Sequence, residues 1–251
     1  MAVQLSARDA IEVNRSASEA AKIVITPVDV RRYLSPPANT AYALEYAFYL
    51  LGDVRGKTVL DLGCGSGEEL IPLIHRGANA IGIDISPELI TIARRRLDEA
   101  GLSAPVHVGS AYETELSDAS VDVVFCMSLI HHLDLPRVKA EMQRVLRPGG
   151  FIVLKEPIRF SRTYDFLRRL LPDREDISEY EHPLTRDEFR AFQEGFVVDG
   201  LRFFRLPVEP LSELFLPVAR NRAFRLSNWI LNTFPPTAHF ATVAALRLRK
   251  F

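Results

Sequence analysis

Short apolar runs alternate with amphipathic stretches along most of this chain, and the runs end abruptly on glycine or on an acid. Val59-Leu60-Asp61-Leu62 stops at Gly63, Ala80-Ile81-Gly82-Ile83 at Asp84, and Pro105–Val108 at Gly109-Ser110-Ala111. Val121–Cys126 leads into Met127-Ser128-Leu129-Ile130-His131-His132, and Phe151–Leu154 into Lys155-Glu156-Pro157. Runs this short and this rich in aliphatic and β-branched residues read as strands buried on both faces. Between them, apolar residues recur at helical spacing: Leu89, Ile90, Ala93 and Leu97, then Val138, Met142, Val145 and Leu146. Five strands alternating with helices predict a doubly wound α/β sheet with its ligand at the carboxyl ends of the strands. Residues 197–206 and 239–249 alternate as two closing strands.

The punctuation sharpens this outline. Ser86-Pro87-Glu88 and Asp134 are helix starts, each a capping side chain at the end of a loop. Pro72 lies too far into the helix over 68–76, so that helix must kink or start late, and Gly77 ends it. Residues 39–51 predict a helix capped by Asn39 or Thr40, with most of the Tyr42, Tyr46 and Tyr49 stripe packed in the core. Arg94, Arg95 and Arg96 read as a solvated face. Residues 1–38, broken by Pro27, Pro36 and Pro37, form an N-terminal arm that is either a surface tail or a cover for the site. The remainder, 39–251, reads as one domain carrying helical lid segments at about 158–195 and 207–237.

Composition narrows the classes. A net charge of −1 argues against a general nucleic-acid binder. The two cysteines, Cys64 and Cys126, have no metal-ligand spacing and suggest no disulfide framework. The absence of a signal pattern and of a membrane-spanning apolar run makes the cytoplasm the expected location.

The chemistry centres on Asp61-Leu62-Gly63-Cys64-Gly65-Ser66-Gly67. Glycine at a strand end lets a ligand approach the backbone with no Cβ in the way. The spacing is Gly-x-Gly-x-Gly, not the Gly-x-Gly-x-x-Gly of dinucleotide-binding turns. Asp84 follows 21 positions after Gly63, where an acid can accept both hydroxyls of a ribose. With Val59-Leu60-Asp61 before it, the turn resembles the first motif of the class I S-adenosylmethionine-dependent methyltransferases, in their small-molecule, type-11-like branch. The resemblance runs from about residue 39 to 157.

That resemblance implies a Rossmann-like methyltransferase fold: a mostly parallel seven-stranded sheet with an antiparallel C-terminal strand pair. It implies S-adenosylmethionine as cofactor and S-adenosylhomocysteine as product. Gly63, Gly65 and the backbone near Cys126 would hold the amino-acid end, within a site that also includes Asp61, Cys64 and Gly67. Asp84 would bind the ribose, Ile85 would pack on adenine, and Ser110 and Ala111 would edge the base. Related sequences often carry an acid where Ser110 stands, so Glu113 is an alternative contact for the adenine amino group. Tyr33 and Tyr42 are cofactor-side candidates, because the segment before the first strand often closes over the cofactor in related proteins.

An acceptor that must lose a proton needs a base, and His131, His132 and Glu156 stand where substrate should meet cofactor. Glu181 and His182 are further candidates if 158–195 folds over the site. Between 201 and 251, eight basic residues face two acids, with Phe215, Phe224 and Trp229 interleaved. Segment 207–237 is therefore either a lid or a weak membrane-docking surface for a lipophilic or anionic substrate. The leading function is methyl transfer to a small, lipophilic or anionic molecule, at oxygen or carbon. A catalytically silent cofactor-binding scaffold and an NAD-dependent oxidoreductase are the alternatives. No Asn/Asp-Pro-Pro-Tyr stretch follows the fourth strand, which weakens methylation of nucleobase amines.

Overall fold

A computed structural model describes residues 7–161, 182–206 and 220–251. The chain begins with α1 (Ala7–Ala20), α2 (Arg31–Leu34) and α3 (Ala43–Leu51). Strands and helices then alternate: β1 (Thr58–Leu62), α4 (Leu70–His75), β2 (Asn79–Asp84), α5 (Pro87–Glu99) and β3 (Val106–Val108). After β4 (Val121–Met127) come a 3-10 turn at Ile130–His132, α6 (Leu135–Val145) and β5 (Leu146–Pro157). The C-terminal part holds α7 (Arg186–Gln193), β6 (Val197–Phe204), α8 (Arg220–Thr233), a second 3-10 turn and β7 (Val243–Arg249).

The strands form a seven-stranded sheet in the order β3-β2-β1-β4-β5-β7-β6. The pairs from β3 to β5 are parallel, with Leu60 opposite Ile81 on one side and Val124 on the other. Strand β7 runs antiparallel between β5 and β6, as the alternating C-terminal pattern requires. The chain first builds outward from β1 to β3 and then returns to place β4 on the other side. That reversal opens a crevice above the carboxyl ends of β1 and β4.

Alternate residues of the buried strands face two cores. Leu60, Val124, Ile152 and Leu246 pack with Val138 and Met142 of α6 and with Phe189 and Phe192 of α7. Val59, Phe125 and Val153 pack with Phe48 of α3, Leu70 of α4 and Ile90 of α5. Each fully buried Phe or Leu here contributes about 1.5–3 kcal/mol. The glycine turn therefore rises from a strand that is clamped on both faces.

Two local expectations, on α3 and on Arg96, need correction, and the late start foreseen for α4 holds. Helix α3 starts after Tyr42 with no side-chain cap, because the Thr40 hydroxyl instead donates to the buried Glu45 carboxylate. Helix α4 begins only at Leu70, which puts Pro72 in its first turn, where no backbone donor is lost. Arg96 is 3 % exposed and belongs to no solvated face. Its guanidinium donates to the carbonyls of Ser66 and Thr26 and pairs with Glu68 at 3.1 Å, tying α5 to the glycine turn and the N-terminal arm.

Part of 207–237 is described, as α8. It turns Ser227 and Leu231 inward, rests Phe224 on Tyr42 and accepts a hydrogen bond from Arg202 of β6 at Asn228. Leu226, Trp229 and Phe234 stay exposed. Among the described residues no helix is long and apolar enough to cross a membrane. Glu181 and most of the expected 158–195 segment lie outside the described residues.

Candidate cofactor and acceptor site

The turn after β1 keeps Gly63, Gly65 and Gly67 at φ of +74°, +50° and +80°. A side chain would be strained at all three. The amides of Gly63 and Gly65 are already engaged within the fold. Gly63 and Cys64 both donate to the Ile83 carbonyl of β2, and Gly65 donates to Asp84 Oδ2 at 2.9 Å. What the turn offers is close approach: a Cβ on Gly65 would stand in open space. A Cβ on Gly67 would lie 2.9 Å from Ala93 Cβ, so that glycine lets α5 pack against the turn.

Three acids surround this turn. Asp84, at the end of β2, takes the amide of Gly65 on one oxygen and that of Ser86 on the other, at 2.9 Å each. Each carboxylate oxygen can accept a second bond. Burial raises the Asp84 carboxyl above its usual range despite those amides. Asp61 is pushed well up by burial first and by the charges of Glu69 and Asp84 after it. Its Oδ2 is buried without a hydrogen-bond partner. Burial likewise raises Glu69, with Lys155 the main opposing influence. A buried carboxylate without a partner is costly, and a cationic ligand relieves the cost. S-Adenosylmethionine carries a sulfonium, an ammonium and a ribose diol, and this donor set fits all three.

A pocket of about 180 Å³ opens beside the turn. Gly63, Asp84, Ile85, Ser110 and Ala111 line it, together with His132, Ser128 and Tyr112. Ser110 Oγ accepts from the Tyr112 amide, while Glu113 is exposed and bridges back to Ser110. The opposite wall is α1, through Glu12, Arg15 and Ser16, and Glu12 Oε2 lies 3.5 Å from His132 Nδ1.

The other expected residues lie off the pocket wall. Cys64 and Cys126 are buried, and burial raises both thiols far above their ordinary value. Asp61 lies beneath the turn. Tyr33 stacks on Phe48 and lines a smaller cleft with Val28, Leu44, Glu68, Glu69 and Pro72. Tyr42 sits between Phe224 and Arg32. Both tyrosines precede α3, which packs against β5 and β7.

The two histidines diverge. His131 is buried with Nδ1 2.7 Å from Glu156 Oε2, and its ring centre lies 4.0 Å from that of His132. Glu156 is fully buried, and its Oε1 takes the amides of Leu129 and Ile130. A carboxylate so engaged orders the loop after β4. His132, in contrast, faces the pocket. His182 bonds Glu188 at 3.0 Å, beside the capping box that starts α7. Among the described residues no group of His, Cys, Asp and Glu could hold a metal ion.

Sequence reasoning missed Glu12, Arg15, Arg96 and the Lys155–Ser128 contact. Arg96 did leave a trace, since it follows Ala93 by three on the apolar face of its helix. The rest meet only in three dimensions.

Comparison with known proteins agrees with this geometry. The family described as "Methyltransferase domain" matches residues 60–154. An "Uncharacterized 37.1 kDa protein in transposon TN4556" from Streptomyces fradiae is 36% identical over 160 residues, 61% of this chain, but the match spans only 45% of that protein. A ubiquinone biosynthesis O-methyltransferase from Xanthomonas axonopodis pv. citri (strain 306) is 30% identical over 194 residues, covering 74% of this chain and 76% of that one. Among solved structures, the fold is similar to geranyl diphosphate C-methyltransferase from Streptomyces coelicolor A3(2), with a TM-score of 0.66 and 17% identity over 98% of this chain and 99% of that one. With the glycine turn, the acid at the end of β2 and the strand order already pointing the same way, the chain belongs to the class I S-adenosylmethionine-dependent methyltransferases.

Proposed function

We propose that this protein methylates a small lipophilic or anionic organic molecule, at oxygen or carbon, with α1 covering the cofactor side of the site. The observation that carries this reading is the pocket itself. It joins the ribose-type acid Asp84 and the glycine turn to a histidine, His132, across one small space. The ubiquinone biosynthesis O-methyltransferase and the geranyl diphosphate C-methyltransferase that this chain resembles support the same acceptor class.

When bound, the cofactor supplies a methyl group already activated on a sulfonium. Asp84, Ile85, Ser110 and Ala111 would hold its nucleoside, and Asp61 with the turn its charged end. The protein's task is then to align the acceptor and take its proton. His132 is the proposed proton acceptor, since it lines the pocket and the Glu12 carboxylate, 3.5 Å from its Nδ1, is placed to stabilise the imidazolium that forms. Glu156 is better assigned to positioning, because His131 and two amides already occupy it. Exposed Leu226, Trp229 and Phe234 on and after α8 support a weak membrane contact, and the described part of α8 contributes nothing to the pocket wall.

Calorimetry with S-adenosylhomocysteine and with NAD, followed by methyl transfer to a panel of phenols, enols and carboxylates, tests the reading. Binding of S-adenosylhomocysteine with turnover of a panel member is the expected result. Binding without turnover of any member would favour the silent scaffold, and tight NAD binding alone would overturn the assignment.

A further inference from the structure

The carboxylates of Glu12 and Asp84 and the guanidinium of Arg15 line the pocket, and an ammonium stands at its edge beside Ser128. Lys155 is half-buried near the end of β5, next to the fully buried Glu156 in sequence but on the opposite face of the sheet. Its Nζ donates to Ser128 Oγ at 2.7 Å, and Ser128 lines the pocket. Ser128 holds a left-handed backbone at φ +56°, and its amide donates to the Lys155 carbonyl at 2.7 Å. A serine in that conformation is strained, and such strain is common where a side chain must be aimed. The contact is thus doubly held, by backbone and by side chain.

Among the described residues Lys155 pairs with no carboxylate. Glu69 feels its charge, as does the buried Cys126 thiol, but neither forms an ion pair with it. On the other side of the sheet, Glu156 is committed to His131. Lys155 thus presents an ammonium at the pocket's edge that no carboxylate among the described residues pairs, placed to attract a negatively charged acceptor.

We infer that Lys155, steered by Ser128, recognises the acceptor as an oxyanion: a phenolate, enolate or carboxylate. This rests on the methyltransferase reading and names its substrate class. For a phenol, the O–H proton passes to His132 and the oxygen's freed pair forms the new O–C bond. The C–S bond breaks with its electrons left on sulfur, giving a neutral thioether and a neutral ether. A carboxylate arrives already ionised and gives an ester. Lys155 attracts the charged acceptor and has no such hold on the neutral product, which favours release. An amine acceptor, uncharged or cationic, gains nothing from this residue.

The test uses 4-nitrophenol, which ionises near neutral pH and changes colour when it does, with the full-length protein saturated in S-adenosylhomocysteine. The bound probe should ionise at lower pH than in free solution. Lys155→Met should abolish that displacement and weaken 4-nitrophenolate about tenfold to a hundredfold. Lys155→Arg should retain most of the effect, and Ser128→Ala should lose part of it. The uncharged 4-nitroaniline should be indifferent to all three substitutions. S-Adenosylhomocysteine affinity, read by calorimetry in the same samples, reports separately on the methyltransferase reading and on folding. Normal cofactor binding with no detectable 4-nitrophenolate binding, or with a probe titration that Lys155→Met leaves unmoved, would overturn the inference.

Discussion

Replacing Asp61 by asparagine should move stability and affinity in opposite directions as pH rises. In the folded protein the Asp61 carboxyl is buried, one oxygen has no partner, and Glu69 and Asp84 add like charge, so its proton is held well above the ordinary value of 3.8. In the unfolded chain it ionises at the ordinary value. Between those two values the native state binds one more proton than the unfolded state. The wild-type protein therefore loses up to about 1.4 kcal/mol of stability per pH unit from this one group. That contribution is complete at low pH and disappears as pH rises through the folded value. Asp61→Asn has no such slope, whatever constant cost its amide brings. For a chain of this size the melting-temperature difference, variant minus wild type, should grow by about 2–5 °C per pH unit within that window. Glu69 and Asp84 titrate in both proteins and cancel. The same substitution removes a carboxyl that can give up its proton when the cofactor's ammonium binds nearby, so S-adenosylhomocysteine should bind about tenfold to a hundredfold more weakly. Differential scanning fluorimetry between pH 5 and 8, with calorimetry at each end, measures both effects. A temperature difference that is flat with pH would show that Asp61 is not held protonated, and unchanged affinity would remove it from the cofactor site.

Other substitutions probe separate parts of the site. Asp84→Ala should cost about 1.5–3 kcal/mol of S-adenosylhomocysteine binding and also lower the melting temperature, since it frees the amides of Gly65 and Ser86. An unchanged dissociation constant would take Asp84 out of the ribose role. Arg96→Met should destabilise the fold by about 1–3 kcal/mol, because the buried guanidinium's bonds to the Ser66 and Thr26 carbonyls and to Glu68 are lost. Denaturant unfolding checks this, and a neutral result would mean that the turn does not depend on that anchor. With an acceptor in hand, His132→Ala should slow turnover by about 10²–10⁴-fold with cofactor affinity preserved. Wild-type turnover in that variant would leave proximity alone as the account.

Much of this molecule was legible in one dimension. The strand positions, the glycine turn, Asp84 as the acid beyond β2, and the caps at Ser86 and Asp134 are local matters. Each follows from periodicity, from the missing Cβ of glycine or from a side chain meeting a backbone amide two or three residues away. Even the late start of α4 was written in Pro72.

The tertiary structure decided which groups meet and which are already taken. The amides of Gly63 and Gly65 seemed free to a sequence reader, yet the neighbouring strand claims both. Glu156, a candidate base in the sequence, carries three hydrogen bonds in the fold. Arg96 looked solvated until the turn and the arm closed over it, and Tyr33 and Tyr42 pack against Phe48, Phe224 and Arg32, outside the lining of the main pocket. Lys155 and Glu156 are adjacent in sequence, but the two-residue period of a strand sends them to opposite faces, one toward Ser128 and one toward His131. Periodicity reports which residues are inside and where the chain turns. The partner that satisfies a buried polar group lies 25 to 30 residues away or on another strand, and only packing selects it.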